Sequence, residues 1–193
     1  MAKSKGLTSP TLKRGRKREG ARFTLIAAIS LDGRITAGKR EGSEWTSRED
    51  KEFFQQELSR ADVVIMGRKT FDAIKRPLLP RNRVVFSSSP PLQRGRTRGG
   101  GSLYFLNSPT VPELKALLHK NNWTRVAIAG GTSIYDWFFR NGLIDELYLT
   151  LEPVVFGSGR PFLKRPQGSI KMFKLASVRK LSKQGTLLLH YIK

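Results

Sequence analysis

The chain has 193 residues, 38% of them hydrophobic, enough for one domain with a packed core, and its 36 Lys and Arg against 15 Asp and Glu give a formal net charge of +21. With no cysteine, disulfides, thiolate metal sites and thiol nucleophiles are excluded, and His119 and His190 alone are too few for a histidine-based metal site. A cationic surplus of this size attracts polyanions, which favours nucleotides, phosphorylated small molecules or nucleic acid as partners.

Residues 1–22 hold eight Lys and Arg against Glu19 alone and show no apolar periodicity. They are expected to be a disordered basic arm, either a solvated tail or a contact for nucleic acid. Residues 23–193 are expected to form the folded domain. The longest apolar run, 23–29, is too short to span a bilayer, and it leads into Asp32-Gly33-Arg34 rather than a small-residue cleavage site. The reading is a cytoplasmic protein that does not enter the membrane.

From residue 23 onward, short β-rich runs at 23–30, 62–66, 83–87, 102–106, 125–129 and 146–151 alternate with helical patterns at 47–60, 111–121 and 133–141. That rhythm predicts an α/β fold: a single mostly parallel central sheet flanked by helices on both faces. Two final runs, 171–181 and 186–192, are joined by Ser182-Lys183-Gln184-Gly185, which predicts a C-terminal antiparallel hairpin at one edge. The basic, Gly-rich stretch 93–101 reads as a mobile loop.

Ligands of such sheets bind beyond the carboxyl ends of the strands. Gly67-Arg68-Lys69-Thr70 follows the strand Val63-Val64-Ile65 and opens a helix with two cations and a hydroxyl, which is either a phosphate site or a plain loop-to-helix turn. Gly130-Gly131-Thr132-Ser133 follows Val126-Ala127-Ile128-Ala129; paired glycines let backbone approach a flat ring or a diphosphate, or simply make a turn. In the helix from Ser47, the positions Asp50, Phe54, Leu58 and Ala61 define the buried face, with Phe53 bordering it. Asp50 is then an acid in the first turn on the inner side, facing a ligand or compensating the helix dipole.

Taken in order, these segments resemble dihydrofolate reductase over nearly the whole chain after the arm. Leu25-Ile26-Ala27-Ala28-Ile29 with Asp32, Ile35 and Trp45 is similar to the family's first strand and loop, and Asp50-Lys51-Glu52-Phe53-Phe54 to its pterin-binding helix. Val64-Ile65-Met66-Gly67-Arg68-Lys69-Thr70-Phe71 is close to its strongest motif, and Ile74, Leu78, Arg81 and Ser87-Ser88 follow in register. Gly130-Gly131-Thr132-Ser133-Ile134-Tyr135 and Leu147-Tyr148-Leu149-Thr150 complete the series.

The resemblance implies NADPH-dependent reduction of 7,8-dihydrofolate to tetrahydrofolate. Asp50 would be the catalytic acid, and Ala28, Trp45, Phe54, Ile74, Leu78, Arg81 and Thr150 would bind substrate, Arg81 through a carboxylate on its tail. Ile35, Gly67, Arg68, Lys69, Thr70, Ser87, Ser88 and the run Gly130, Gly131, Thr132, Ser133, Ile134, Tyr135 would hold NADPH, and no metal is implied.

Ser30-Leu31-Asp32-Gly33-Arg34-Ile35, Trp45-Thr46-Ser47 and Val155-Phe156-Gly157-Ser158-Gly159-Arg160-Pro161-Phe162 also resemble the reductase domain of the bifunctional deaminase-reductase of riboflavin synthesis. That resemblance implies 5-amino-6-(5-phosphoribosylamino)uracil as the alternative substrate. Relatives with a similar turn imply a homodimer built on 154–162 and the C-terminal hairpin. The charge alone raises a third reading, a nucleic-acid-binding module on the same fold.

Overall fold

Consecutive apolar residues flanked by polar turns dictate strands whose two faces are both covered. A computed structural model describes residues 20–38, 44–74, 79–88, 95–96, 100–164 and 171–193. The basic arm, up to residue 19, lies outside the described residues, as do Leu78 and most of 93–101. In chain order the elements are β1 (Arg22–Ile29), β2 (Arg34–Thr36), α1 (Arg48–Ser59), β3 (Val63–Gly67), α2 (Arg68–Ala73), β4 (Arg83–Ser87), β5 (Gly95–Arg96) and β6 (Ser102–Asn107). They continue with α3 (Val111–Lys120), β7 (Arg125–Ile128), α4 (Thr132–Arg140), β8 (Glu146–Leu151), β9 (Arg160–Pro161), β10 (Lys174–Lys180) and β11 (Leu187–Ile192).

The main sheet runs β10-β11-β8-β1-β7-β3-β4-β6-β5. Its six middle strands, β8 to β6, are mutually parallel, and the C-terminal hairpin adds β11 and β10 antiparallel beside β8, as the sequence predicts. Alternate residues of each middle strand enter opposite cores. Leu25, Ile65, Val84, Val126 and Ile128 pack with Leu114, Leu118 and Phe138 of α3 and α4. Ile26, Val64, Met66, Val85 and Ala127 pack with Phe53 and Leu58 of α1.

Three features differ from the sequence reading. Part of the stretch read as a loop is β5, antiparallel to β6; pairing with an available sheet edge overrides its weak local preference. Gly101 lies so close to Arg81 that a Cβ would fall 2.3 Å from the Arg81 carbonyl carbon. A second ribbon pairs β2 with β9, bringing two short segments together that neither pattern announces alone. In α1 the buried residues are Asp50, Phe53 and Leu58, while Phe54 and, just past the helix, Ala61 are half-buried against the same core, so the predicted inner face holds and Phe53, read as its border, is the more buried aromatic. Phe53 meets Tyr148 edge-on at 5.2 Å.

Candidate active site

The carboxyl ends of β1, β3, β4, β7 and β8 lie along one edge of the sheet because these strands are parallel, and most of the described candidate residues gather there, whereas Arg81 stands before the start of β4, at that strand's amino end. Ser47 caps α1: its hydroxyl accepts from the Asp50 amide at 3.1 Å, fixing the first turn. Asp50 is only 8% exposed. Burial pushes its carboxyl above the ordinary value, hydrogen bonds from the Thr150 and Thr46 hydroxyls work the other way, and the negative charge of Glu152 adds to the upward push.

Thr150 is itself buried and stands directly across from Ala28 in the β1–β8 pair, so Ala28, Thr150 and Asp50 meet on the α1 face of the sheet. Phe54 and Ile74, both half-buried, pack against the hydrophobic core on that α1 face. Trp45 packs edge-on against Phe156 at 5.0 Å. The loop after β1 is tied to that turn: Asp32 accepts from the Ser30 hydroxyl at 2.6 Å and from the Phe156 and Gly157 amides at 3.2 and 2.9 Å.

On the other side of β1 lies the glycine pair. The Gly130–Gly131 peptide is cis, Gly130 has φ +94°, and its carbonyl accepts from the Gly67 amide at 2.8 Å, joining the ends of β7 and β3. A Cβ on Gly130 would sit 2.7 Å from the Tyr135 hydroxyl. A Cβ on Gly131 would lie 3.6 Å from Ile35 Cδ1 and 3.7 Å from Thr70 Oγ1, so Ile35, Thr70 and Gly131 converge on one spot. Ile134 and Tyr135 amides close the first turn of α4 onto the Gly131 carbonyl, which leaves the Thr132 and Ser133 amides as first-turn donors with no helical acceptor behind them.

Several of the residues expected at the cofactor also make contacts within the protein. The Tyr135 hydroxyl donates to the Ile26 carbonyl at 3.0 Å inside the core, burial holds its phenol well above the usual range, and Asp50 raises it further. Thr132 donates to the Pro161 carbonyl at 2.6 Å, and Ile134 is buried against Gly67. Arg68 gives its Nε to Asp72 at 2.9 Å and lies over the Phe105 ring, while Lys69 is exposed. Ser87 ends β4 half-buried, and Ser88, Ser133 and Arg81 are exposed.

The residues on this edge fit a flat reduced dinucleotide: glycines where a Cβ would fill the approach, free first-turn amides on α4, and hydroxyls and cations beyond β3 and β4. Comparison with known proteins places the whole arrangement in a family. The RibD C-terminal domain family matches residues 22–187. The chain belongs to that family.

Within it and around it, dihydrofolate reductase type 9 of Escherichia coli is 30% identical over 131 residues, covering 67% of this chain and 70% of that one. A Shewanella sp. PV-4 protein, named a candidate riboflavin biosynthesis protein, has a crystal structure that superposes with a TM-score of 0.73 at 20% identity, over 89% of this chain and 98% of that one. Dihydrofolate reductase from Enterococcus faecalis, crystallised with NADP(H), superposes with a TM-score of 0.62 at 22% identity, over 89% and 95%. The family and its relatives mark the chain as a reductase-type enzyme with the dihydrofolate reductase-like fold, and among the described residues no helix is long and apolar enough to cross a membrane.

Sequence reasoning missed two site neighbours. Thr46 was read only as part of a loop motif, yet it is buried and bonds Asp50. Glu152, 3% exposed, follows β8 directly; its signal was an acid set in the otherwise apolar run Leu151-Glu152-Pro153-Val154-Val155.

Proposed function

We propose that this RibD C-terminal domain family member is an NADPH-dependent reductase of 7,8-dihydrofolate, with Asp50 as the catalytic acid. The supporting observation is the Asp50 carboxyl itself, buried in the first turn of α1 and hydrogen-bonded to Thr150 opposite Ala28. A carboxyl so placed can grip an amino-pyrimidine edge through paired, charge-assisted hydrogen bonds and orient the ring. Its raised proton affinity suits it to favour the protonated form of the ring nitrogen beside the carbon to be reduced.

Bound NADPH supplies the hydride, leaving as NADP⁺, and the added hydride plus one proton reduce the C=N bond. Gly130, Gly131 and Ile35 give the nicotinamide its approach, Thr70, Ser87, Ser88 and the Thr132 and Ser133 amides meet the diphosphate side, and Arg68 and Lys69 supply positive charge for the 2′-phosphate. Arg81 pairs with the carboxylate of the substrate's tail. Trp45 and Phe54 supply aromatic surface beside the ring, and the Trp45–Phe156 contact steadies that wall.

A second reading has its own observation. Asp32 ties the β1–β2 loop to the Phe156–Gly157 turn, and the β2–β9 ribbon sets Arg34 and Arg160 on one rim. Arg34 is held by Asp32 and donates to the Gly159 carbonyl at 3.0 Å, so the exposed Arg160 is the guanidinium that suits a substrate phosphate, as 5-amino-6-(5-phosphoribosylamino)uracil would present. The deciding experiment is loss of reduced-nicotinamide absorbance with purified protein and each substrate separately. Turnover of dihydrofolate supports the first reading, turnover of only the ribosylaminopyrimidine phosphate replaces it with the second, and turnover of neither sinks both.

A further inference from the structure

Behind Asp50 lies a second carboxylate that the proposed chemistry does not use. Glu152 Oε1 accepts from the Ser47 amide at 2.7 Å and the Ser47 hydroxyl at 2.8 Å, and Oε2 accepts from the Thr186 hydroxyl at 2.7 Å. Thr186 is buried in its turn, with its amide donating to Ser182 Oγ at 3.2 Å and the Ser182 hydroxyl donating back to Thr186 Oγ1 at 2.9 Å. Since Ser47 Oγ also accepts from the Asp50 amide, one hydrogen-bonded chain runs from the β10–β11 turn through Glu152 to the backbone of Asp50.

A serine N-cap is sufficient to start a helix, and a neutral acceptor could hold that serine. A buried carboxylate is the costly choice, more so with another carboxyl nearby, because both charges repel in a low-dielectric setting. The charge therefore calls for a role of its own.

We propose that Glu152 is a positioning residue for the reductase site: it anchors the first turn of α1 to the end of β8 and to the hairpin, and sets a buried negative charge behind Asp50. This rests on Asp50 being the functional acid. Facing Asp50 are the Thr46 and Thr150 hydroxyls, Lys51 on its own helix, Tyr135 from α4 and Glu152 beyond β8; of the charged groups, Glu152 pushes its proton affinity up and Lys51 pushes it down.

The test uses the full chain with ¹³C-labelled aspartate carboxyls, the Asp50 resonance being assigned by its loss in Asp50→Asn. Glu152→Gln keeps an oxygen for Ser47 and removes the charge, so the Asp50 titration midpoint moves to lower pH; an unmoved or raised midpoint overturns the proposal. If the Glu152 variant fails to fold, Thr186→Val, which removes only the hydroxyl that ties Glu152 to the hairpin, keeps the test decisive: it lowers kcat at unchanged KM for NADPH, and a wild-type kcat overturns the proposal. In active enzyme, Glu152→Gln carries the pH–rate profile in the same direction without changing KM for NADPH, and Glu152→Ala, which also removes the anchor, lowers kcat by about 100-fold. If wild type oxidises no NADPH with either substrate, the reductase reading fails, while the carboxyl titrations still judge Glu152 by themselves.

Discussion

The Thr150 hydroxyl bonds the Asp50 carboxyl, and Thr150 is the cross-strand neighbour of Ala28, so the acid of a helix is held over the β1–β8 strand pair. Rigid strands thereby set the position of the one group asked to handle the substrate's proton. Asp50→Asn keeps the size and one acceptor but cannot carry an acidic proton. We expect it to lower kcat by about 100-fold or more while leaving NADPH affinity, read by nicotinamide fluorescence, within about twofold of wild type. A wild-type rate in that variant would remove Asp50 from the mechanism.

The pH dependence follows from the direction of the Asp50 shift. Its carboxyl holds a proton more strongly in the folded chain than in the unfolded one, mainly through burial. The stability it contributes is complete below its unfolded value and is lost as pH rises through its folded value. Urea midpoints of wild type should therefore fall relative to those of Asp50→Asn as pH climbs from acid toward neutral. A constant gap between the two proteins would show that Asp50 titrates as it does in the open chain. Turnover, if it needs the protonated carboxyl, declines through the same range.

How much of this was legible in the sequence depends on how local the cause was. The six parallel strands could be read because each is a nearly continuous apolar run closed by a turn, and their ends coincide with the glycine pair and Gly67. The β2–β9 ribbon could not, because two or three residues carry no periodic signal and the pairing spans more than a hundred residues of chain. The inner face of α1 could be read from Asp50 and Leu58, but not that Phe53 would be buried more deeply than Phe54, since the two are equally apolar and the Tyr148 ring that Phe53 meets lies on β8. Tyr135 was read as a cofactor contact from its place beside the glycines. What the sequence could not show is that its hydroxyl donates to the Ile26 carbonyl, a partner set by the crossover of α4 back onto β1.

That support makes Gly130 sensitive. At φ +94° any side chain is strained, and a Cβ would meet the Tyr135 hydroxyl at 2.7 Å and its Cζ at 2.9 Å. Gly130→Ala should cost about 1–3 kcal/mol of stability and weaken NADPH binding, as read by thermal unfolding with and without the dinucleotide. Adding Tyr135→Phe removes only the oxygen, so it should restore little. Full recovery in the double variant would mean that the hydroxyl alone, and not the backbone, limits the site.

The two candidate substrates can be separated by their cations. Arg81 lies beside Gly101 just before the start of β4, whereas Arg160 begins β9, paired with β2. If dihydrofolate is the substrate, Arg81→Leu should raise its KM by the equivalent of about 1.5–3 kcal/mol, with NADPH binding unchanged, and Arg160→Gln should have little effect. For a ribosylaminopyrimidine phosphate the order reverses: Arg160→Gln raises KM and adds to the salt sensitivity already expected of a phosphate contact, while Arg81→Leu is near neutral. Steady-state kinetics of both variants on both substrates therefore decide which end of the site meets the anionic group, and equal small effects would place that group at neither.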